Sequence, residues 1–161
     1  MDYQLQVITL SVSDVDKATE FYTKRIGFTL DVDYRPASDF RVVQLTPPGS
    51  ACSVQIGTGR TDAPPGLARA TCLVVTDIEA ARQALTGRGV TVSGIRHKSP
   101  VDDWTGGFQP GTDPQRRDYA SFADFADPDG NTWVIQEIGH RPPHDVADII
   151  LDAARDGAAT P

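Results

Sequence analysis

The sequence predicts an α+β protein in which two tandem βαβββ modules enclose one cleft between their curved sheets, followed by a C-terminal helix. Three observations support this prediction. An alternating apolar strand leads into a capped helix twice in the chain. The aspartates at the two helix starts, Asp14 and Asp77, are almost as far apart as the helix-ending glycines, Gly27 and Gly89. Each half also closes with a glycine turn between two strands, which indicates a duplicated supersecondary unit.

The first module begins with an alternating strand at residues 5–12. Ser13 and Asp14 supply side chains that cap a helix, and Gly27 suits the end of a helix that runs to about Arg25. Three strands complete the module, at residues 28–34, 40–46 and 51–57. Because one such module leaves a sheet face bare, two modules are expected to pack together.

The second module repeats this plan. Its first strand covers residues 69–75, and Thr76 with Glu79 forms a capping box for the helix that Gly89 ends. The closing hairpin pairs residues 121–126 with residues 132–137.

The turn of that hairpin reads Asp-Pro-Asp-Gly-Asn at residues 127–131. Pro128 has the fixed φ that a type I turn needs at its second position, and Gly130 supplies a positive φ. The two halves differ mainly between residues 93 and 119, where the second half carries a long loop rich in Pro, Gly and Asp. Such loops are usually functional lids or mobile segments.

These elements predict one domain at residues 1–143, with modules at 5–57 and 69–138 and a linker at 58–68. Residues 144–161 are predicted to form a separate helix and tail. The apolar residues of this tail have helical spacing: Val146, Ile149, Ile150 and Ala153. A helix this short is marginal alone, so we expect it to dock on the domain or on another subunit, as in a homodimer.

Composition excludes several classes of partner. The formal net charge of −7 and the pI near 4.8 argue against binding nucleic acid or an anionic membrane, because both require a basic surface. The chain starts with neither a basic leader nor an apolar run, and we expect a cytoplasmic protein. Cys52 and Cys72 lie in apolar strand-like runs without CxxC spacing, so we predict buried, reduced thiols.

Four short motifs give the sequence a family resemblance. In chain order they are Val12-Ser13-Asp14, Phe21-Tyr22 with Ile26-Gly27-Phe28, Val75-Thr76-Asp77, and Asp127-Pro128-Asp129-Gly130-Asn131. Their order and repeat spacing resemble the vicinal oxygen chelate superfamily, which includes glyoxalase I, the bleomycin-resistance proteins and the extradiol dioxygenases. The resemblance covers residues 5–138. It implies paired βαβββ modules around a cup-shaped site that holds a divalent metal in many members.

The resemblance also implies metal ligands that this sequence lacks. Metal-dependent members place a His or Gln on the first strand of one or both modules and a Glu on the last strand of each. The matching positions here are Val7, Ala70, Ser53 and Val134, which are not good ligands. A shift of two residues would substitute Gln55 and Gln136, but neutral amides bind hard cations weakly. We therefore expect no metal of the family type and no cofactor.

Three neutral polar residues are predicted to bind a ligand in the cleft. Gln55 and Gln136 are matched by the repeat and have the side-chain parity of the missing glutamates, so both amides could point into the cleft and face each other there. The alternative is that each amide hydrogen-bonds a neighbouring loop or lies at a sheet edge. Thr9, on the face opposite Ile8, is predicted to join them.

One basic residue beside the cleft is a further candidate. Arg41 starts a strand there, and its guanidinium group could hold an anionic part of a ligand. A salt bridge to Asp39 or Asp124 is the alternative interpretation.

The long loop supplies the candidates for chemistry. His97 is a natural general base because its unperturbed pKa lies near neutrality, and Tyr119 could act with it in proton transfer. Trp104 could close over a flat or apolar ligand. The alternative is a solvated loop with ordinary surface residues.

Together these features favour a metal-independent protein that binds a small, partly apolar organic molecule, either to sequester it or to convert it by acid-base chemistry. The rival hypothesis is a metal-dependent lyase, isomerase or dioxygenase. A structural or protein-interaction module is a third class. For an enzyme, proton transfer by His97 and Tyr119 favours a lyase or isomerase over a dioxygenase.

Overall fold

The computed structural model of the chain describes residues 1–141 and confirms the predicted α+β class. The first half of the chain forms a sheet of four strands and the second half a sheet of five. The helix predicted for residues 144–161 lies outside the described residues. None of the helices in residues 1–141 has both the length and the apolar character needed to cross a bilayer.

The first module contains four strands around one helical segment. The strands are β1 (Val7–Thr9), β2 (Thr29–Ala37), β3 (Phe40–Thr46) and β4 (Ser53–Thr58), in spatial order β1-β4-β3-β2. Helix α1 (Val15–Glu20) is capped by Asp14, whose side chain accepts a hydrogen bond from the Lys17 N–H, and it continues as a π-helix, Phe21–Ile26. Gly27 ends the helix with a φ of +94°, which glycine adopts without steric cost.

The second module repeats this arrangement with one additional strand. The strands are β5 (Thr71–Val75), β6 (Arg96–Lys98), β7 (Phe108–Pro110), β8 (Ser121–Ala126) and β9 (Thr132–Glu137), in spatial order β5-β9-β8-β6-β7. Helix α2 (Ile78–Gly87) is capped by Asp77, which accepts hydrogen bonds from the N–H groups of Glu79 and Ala80. The prediction of Thr76 as the cap was therefore wrong by one residue.

The segment at residues 93–119 is not the simple loop that its composition predicts. It contains β6 and β7, which pair antiparallel and extend the sheet beyond β8. Both strands are short, and β6 consists of Arg96, His97 and Lys98, so the segment lacks the apolar alternation that identifies a strand in a sequence. The correction matters because this hairpin brings loop residues onto the sheet.

A single hydrophobic core joins the two modules. It includes Phe21 and Tyr22 from the first helical segment and Trp133 and Ile135 from β9. Along β9, the side chains of Trp133, Ile135 and Glu137 are buried, whereas the residues between them are only half-buried. Each sheet therefore has a core face and an opposite face, which we call the open face.

The turn at residues 127–131 connects the modules through side chains, and the predicted hairpin is confirmed. Asp127 is buried, and its carboxylate accepts hydrogen bonds from the N–H groups of Asp129 and Asn131. The Tyr22 hydroxyl donates to the same carboxylate across 2.8 Å, and the Asn131 amide donates to the Ser11 carbonyl across 3.0 Å. The turn is thus part of the contact between the two modules.

Strand pairing corrects the alignment of the repeats. Gln55 lies opposite Thr9 in the parallel pair β1–β4, and Val134 lies opposite Cys72 in the parallel pair β5–β9. The buried neighbours Val54 and Trp133 also occupy matching positions. Gln55 therefore corresponds to Val134, not to Gln136. The glycine-based alignment failed because β4 starts later after its turn glycine than β9 does.

The two cysteines differ in exposure. Both are free thiols; Cys52 is half-buried, whereas Cys72 is exposed on the open face of the second sheet. The prediction of a buried thiol was wrong for Cys72, because β5 is an edge strand whose open face nothing in residues 1–141 covers fully.

Candidate functional site

Three aromatic rings form a cluster on the open face of the second sheet. Phe108 lies between Trp104 and Phe122, with ring centres 5.3 Å and 5.7 Å away, and both contacts are edge-to-face. Trp104 is 41% exposed and Phe108 is 39% exposed. We call Trp104, Phe108 and Phe122 the aromatic cluster. Partly exposed rings that already pack on one another provide apolar surface for a flat ligand without a large ordering cost.

The β6–β7 hairpin holds Trp104 in this position. The Ser99 N–H donates to the Gly107 carbonyl across 3.1 Å, and the Trp104 indole N–H donates to the same carbonyl across 2.7 Å. A Cβ on Gly107 would lie 2.7 Å from the Ser99 carbonyl oxygen, so a larger residue would push the loop apart. The loop is therefore anchored at its base by Gly107.

Two cations border the aromatic cluster. The Lys98 ammonium lies 4.8 Å from the centre of the Trp104 ring and 5.6 Å from that of Phe122. The Arg96 guanidinium lies 5.0 Å from the Phe108 ring centre and also forms an ion pair with Asp124. Cations in these positions are attracted by the electron-rich ring faces.

Gln136 borders the cluster on β9. It lies directly opposite Phe122 in the antiparallel pair β8–β9. Its amide nitrogen donates to the Tyr119 carbonyl across 3.3 Å, and the Cys72 thiol lies 3.6 Å from its amide oxygen. Gln136 and Trp104 therefore belong to the open face of one sheet.

Gln55 and Thr9 lie on the open face of the first sheet. They are directly opposite each other in the β1–β4 pair, so these two predicted residues are brought together. The Gln55 amide oxygen accepts hydrogen bonds from the Arg60 guanidinium at 2.7 Å and 3.1 Å. Gln55 and Gln136 therefore each form a hydrogen bond with a neighbouring segment, which is the alternative to facing each other across the cleft.

Arg41 lies on the core side of β3, where its charge is already paired. Its guanidinium donates two hydrogen bonds of 2.8 Å to Asp33 and one of 2.6 Å to Asp16. These hydrogen bonds from Arg41 lower the pKa of Asp33 below its usual value. The salt bridges differ from the predicted alternatives, because Asp124 pairs with Arg96 instead.

His97 lies on the opposite side of β6 from Arg96 and Lys98. Successive strand residues point to opposite faces, and His97 pairs with Ser121, which is buried on the core side. The His97 Nδ1 atom lies 3.0 Å from the Gly111 carbonyl oxygen. The structure thus separates His97 from the aromatic cluster.

A cavity of about 300 Å³ lies beside His97 and is lined in part by Asp113 and Arg117. Asp113 is fully buried and accepts hydrogen bonds of 2.9 Å from two nitrogens of the Arg117 side chain. The Arg117 side chain is the main reason that the pKa of Asp113 falls to about 2. This ion pair fixes the segment between β7 and β8.

Tyr119 lies in the same segment and has a positive φ of 60°. Non-glycine residues pay a steric cost there, so their surroundings must hold them in place. The Tyr119 N–H donates to the Glu137 carbonyl across 2.8 Å, and the Tyr119 carbonyl accepts from Gln136. Arg116 supports this arrangement by donating hydrogen bonds of 2.6 Å and 2.9 Å to the buried Glu137 carboxylate.

The family's metal does not fit the residues at its usual positions. With the corrected register, the first-strand positions hold Val7 and Ala70, and the last-strand positions hold either Ser53 with Thr132 or Gln55 with Val134. Val7, Ala70 and Val134 have no side-chain donor atom, and the others offer only neutral hydroxyl or amide groups. Among residues 1–141, no three His, Cys, Asp or Glu side chains converge as a metal site would require.

Four residues of this site, Arg96, Lys98, Phe108 and Phe122, were not among the sequence candidates. The signal that identifies them is the module plan itself, since a second βαβββ unit requires a strand between α2 and β8. Placing that strand at residues 96–98 puts Arg96 and Lys98 on one face and His97 on the other.

Comparisons with known proteins agree with this fold. Residues 4–135 match the model of the Glyoxalase/Bleomycin resistance protein/Dioxygenase superfamily. No curated protein matches the chain.

Several solved structures resemble the chain along most of its length. TnmS3, an antibiotic binding protein from Streptomyces sp. CB03234, is 29% identical with a TM-score of 0.64, and the match covers 84% of this chain and 96% of that one. A glyoxalase/bleomycin resistance protein from the same organism is also 29% identical, with a TM-score of 0.62 and coverage of 83% and 100%. A superfamily member from Sphaerobacter thermophilus DSM 20745 is 28% identical, with a TM-score of 0.63 and coverage of 85% and 98%.

Proposed function

The chain belongs to the glyoxalase/bleomycin resistance protein/dioxygenase superfamily, and on that premise we propose that it binds a small, partly apolar organic molecule without a metal. The open face of the second sheet, around the aromatic cluster, is the proposed site. The antibiotic-binding neighbour TnmS3 supports a binding role, and the aromatic cluster supplies a surface of suitable chemistry.

The observation that carries this proposal is the partial exposure of Trp104 and Phe108. Large apolar side chains are normally buried, and two that lie exposed and in contact with each other mark a binding surface more often than a scattered residue does. Gln136 adds a hydrogen-bonding group at the border of the cluster. An apolar surface with few polar groups is typical of small-molecule sites.

Binding is favoured over conversion of the ligand. The predicted base His97 lies on the face of β6 opposite to Lys98, away from the aromatic cluster. Tyr119 remains near Gln136, but one phenol without a partner base supports acid-base chemistry weakly. Replacement of His97 by Ala and of Tyr119 by Phe is expected to leave any ligand's affinity within about twofold, because neither ring lies in the cluster.

We also propose that the protein is a cytoplasmic homodimer. Val32 and Tyr34 on the open face of the first sheet, and Val74 on that of the second, are 41%, 58% and 59% exposed. A second copy that covered these faces would remove this apolar surface from water and enclose the ligand. Sedimentation equilibrium would give the mass of a dimer; the mass of a monomer at all concentrations would contradict this proposal.

The binding proposal is tested by a thermal-shift screen of flat organic molecules, followed by calorimetric titration of those that stabilise the protein. We expect Trp104→Ala to weaken their binding about tenfold, which corresponds to the loss of one aromatic contact and its buried area. Tyr3→Ala removes a ring that is 89% exposed outside the cluster and serves as the control. Ligands that bind wild type and Trp104→Ala equally would place the site elsewhere.

Elemental analysis of the purified protein tests metal independence. We expect no stoichiometric divalent metal, and a chelator is expected to leave ligand affinity unchanged. A stoichiometric metal whose removal abolishes binding or turnover would favour the metal-dependent lyase, isomerase or dioxygenase instead.

A further inference from the structure

We infer that the site on the second sheet prefers planar aromatic anions and that Lys98 sets this preference; the inference rests on the proposed binding function. Lys98 lies on β6, which is flanked by β8 and β7 in the sheet. It forms no ion pair with any carboxylate of residues 1–141. Lys98 is half-buried as a residue, and its ammonium lies over the rings of Trp104 and Phe122. An uncompensated cation among aromatic rings favours a ligand that has both an aromatic ring and a negative charge.

Two other charged groups of this region are already paired. Arg96, two residues away on the same face of β6, forms an ion pair with Asp124 through two of its nitrogens. In the loop between β6 and β7, the Asp102 carboxylate lies 3.6 Å from a nitrogen of the Arg117 guanidinium. Of the two cations on the open face of β6, Lys98 is therefore the one that no carboxylate of residues 1–141 pairs with, and it is available to a ligand.

The exposed parts of the rings leave room for a ligand beside this ammonium. Trp104 is 41% and Phe108 is 39% exposed to solvent, although the Lys98 ammonium lies 4.8 Å from the Trp104 ring centre. A flat ligand could cover the remaining ring surface while an acidic substituent reaches the ammonium. Such a ligand would replace water at Lys98 without displacing an existing salt bridge.

The overall charge of the protein could not by itself produce a preference for anionic ligands. A net charge of −7 repels anions at long range, so a general electrostatic attraction would favour cationic ligands. A preference for anions must then come from a cation within about 10 Å, the distance over which salt screens exposed charges. Loss of the preference on removal of one charge would locate that cation.

The test uses three probes that share one ring system: 2-naphthoate, its neutral isostere 2-naphthamide, and the cation 2-naphthylmethylammonium. Calorimetric titration of the full chain is expected to give about fivefold tighter binding of naphthoate than of naphthamide, as for one partly exposed ion pair. The ammonium probe is expected to bind weakest. This comparison needs no variant and therefore does not depend on the folding of a mutant.

Three substitutions then assign the preference to one residue. Lys98→Met keeps the length of the side chain but removes its charge, and we expect naphthoate and naphthamide to bind it equally. Lys98→Arg keeps the charge and should retain the preference. Lys24→Met makes the same change in net charge at an exposed position in the first module, and it should also retain the preference.

Each outcome has a distinct meaning. Equal binding of naphthoate and naphthamide by wild type, or an unchanged preference in a folded Lys98→Met, would overturn the inference. If naphthamide still bound and Trp104→Ala weakened it, the proposed binding function would stand without the charge preference. Failure of all three probes to bind would overturn the inference, and failure of the wider screen as well would overturn the proposed function.

Discussion

The hydroxyl of Tyr22 in the first module donates a hydrogen bond to the buried carboxylate of Asp127 in the second, across 2.8 Å. Burial is the main cause that raises the pKa of Tyr22 far above its usual value, so the hydroxyl keeps its proton and remains a donor. The same oxygen accepts a hydrogen bond of 3.1 Å from the Trp133 indole. One phenol thus connects the two modules with two hydrogen bonds.

Removal of this hydroxyl should destabilise the protein. In Tyr22→Phe, the Trp133 indole loses its acceptor and Asp127 loses one donor, while the ring packing is kept. We expect a loss of about 1–3 kcal/mol in the free energy of unfolding, measured by urea denaturation. Tyr3→Phe, at an 89% exposed ring, should change it by less than about 0.5 kcal/mol. Equal effects of the two substitutions would contradict the role given to the buried network.

The linker should tolerate no side chain at Gly66, where it crosses the hairpin turn. Gly66 has a φ of +74°, and a Cβ there would lie 2.0 Å from the Asp129 carbonyl oxygen. Gly49 has a similar φ of +78°, but its Cβ would have nothing within 4 Å. A left-handed alanine costs about 1 kcal/mol at both positions, and at Gly66 the clash destabilises the protein further.

We therefore expect Gly66→Ala to lower the free energy of unfolding by at least about 2 kcal/mol more than Gly49→Ala does. Chemical denaturation of the two variants side by side measures the difference. If they were equally stable, the linker would not lie against the turn in solution.

The Asp113–Arg117 ion pair should make stability depend on acid pH. The pKa of Asp113 is about 2 in the folded protein and about 3.8 when the carboxyl is unperturbed. The folded state therefore gains stability from the ionised carboxylate above about pH 4, and this gain is lost as the pH falls from about 4 to 2. Because Arg117 is partly exposed, we expect the gain to be only about 1 kcal/mol.

Asp113→Asn is the variant that tests this linkage. It should be less stable than wild type at pH 7, and the difference should shrink as thermal melts are repeated from pH 4 down to pH 2. Asp103→Asn, at an exposed position in the same region, should show no such pH dependence. A difference that stays constant down to pH 2 would rule out the ion pair as its cause.

The sequence was sufficient for the scaffold because the scaffold depends on local signals. Residues 40–46, 121–126 and 132–137 form strands with the predicted bounds, since they contain β-branched or aromatic residues and lie next to strong turns. The predicted stop at Gly27 was also confirmed, because only a residue that tolerates positive φ ends the helix there.

The site could not be predicted to the same degree because it depends on contacts between distant residues. Trp104 was identified as a ligand-binding candidate, but its partners Phe108 and Phe122 become neighbours only through the pairing of β6 with β7 and β8. The faces of His97 and Lys98 depend equally on whether β6 is a strand. The match of Gln55 to Val134 required the strand register, which the turn glycines alone do not fix.

The most direct test of the central claim is the location of a bound ligand by chemical-shift mapping of the ¹⁵N-labelled full chain. During titration with 2-naphthoate, we predict saturable shifts concentrated at residues 96–98, 104–108, 122 and 134–136, together with the Trp104 indole N–H. The Trp133 indole, which is buried in the core, should not shift. Shifts confined to other residues, or no saturable shift with this probe or any ligand from the screen, would contradict a small-molecule site on the second sheet.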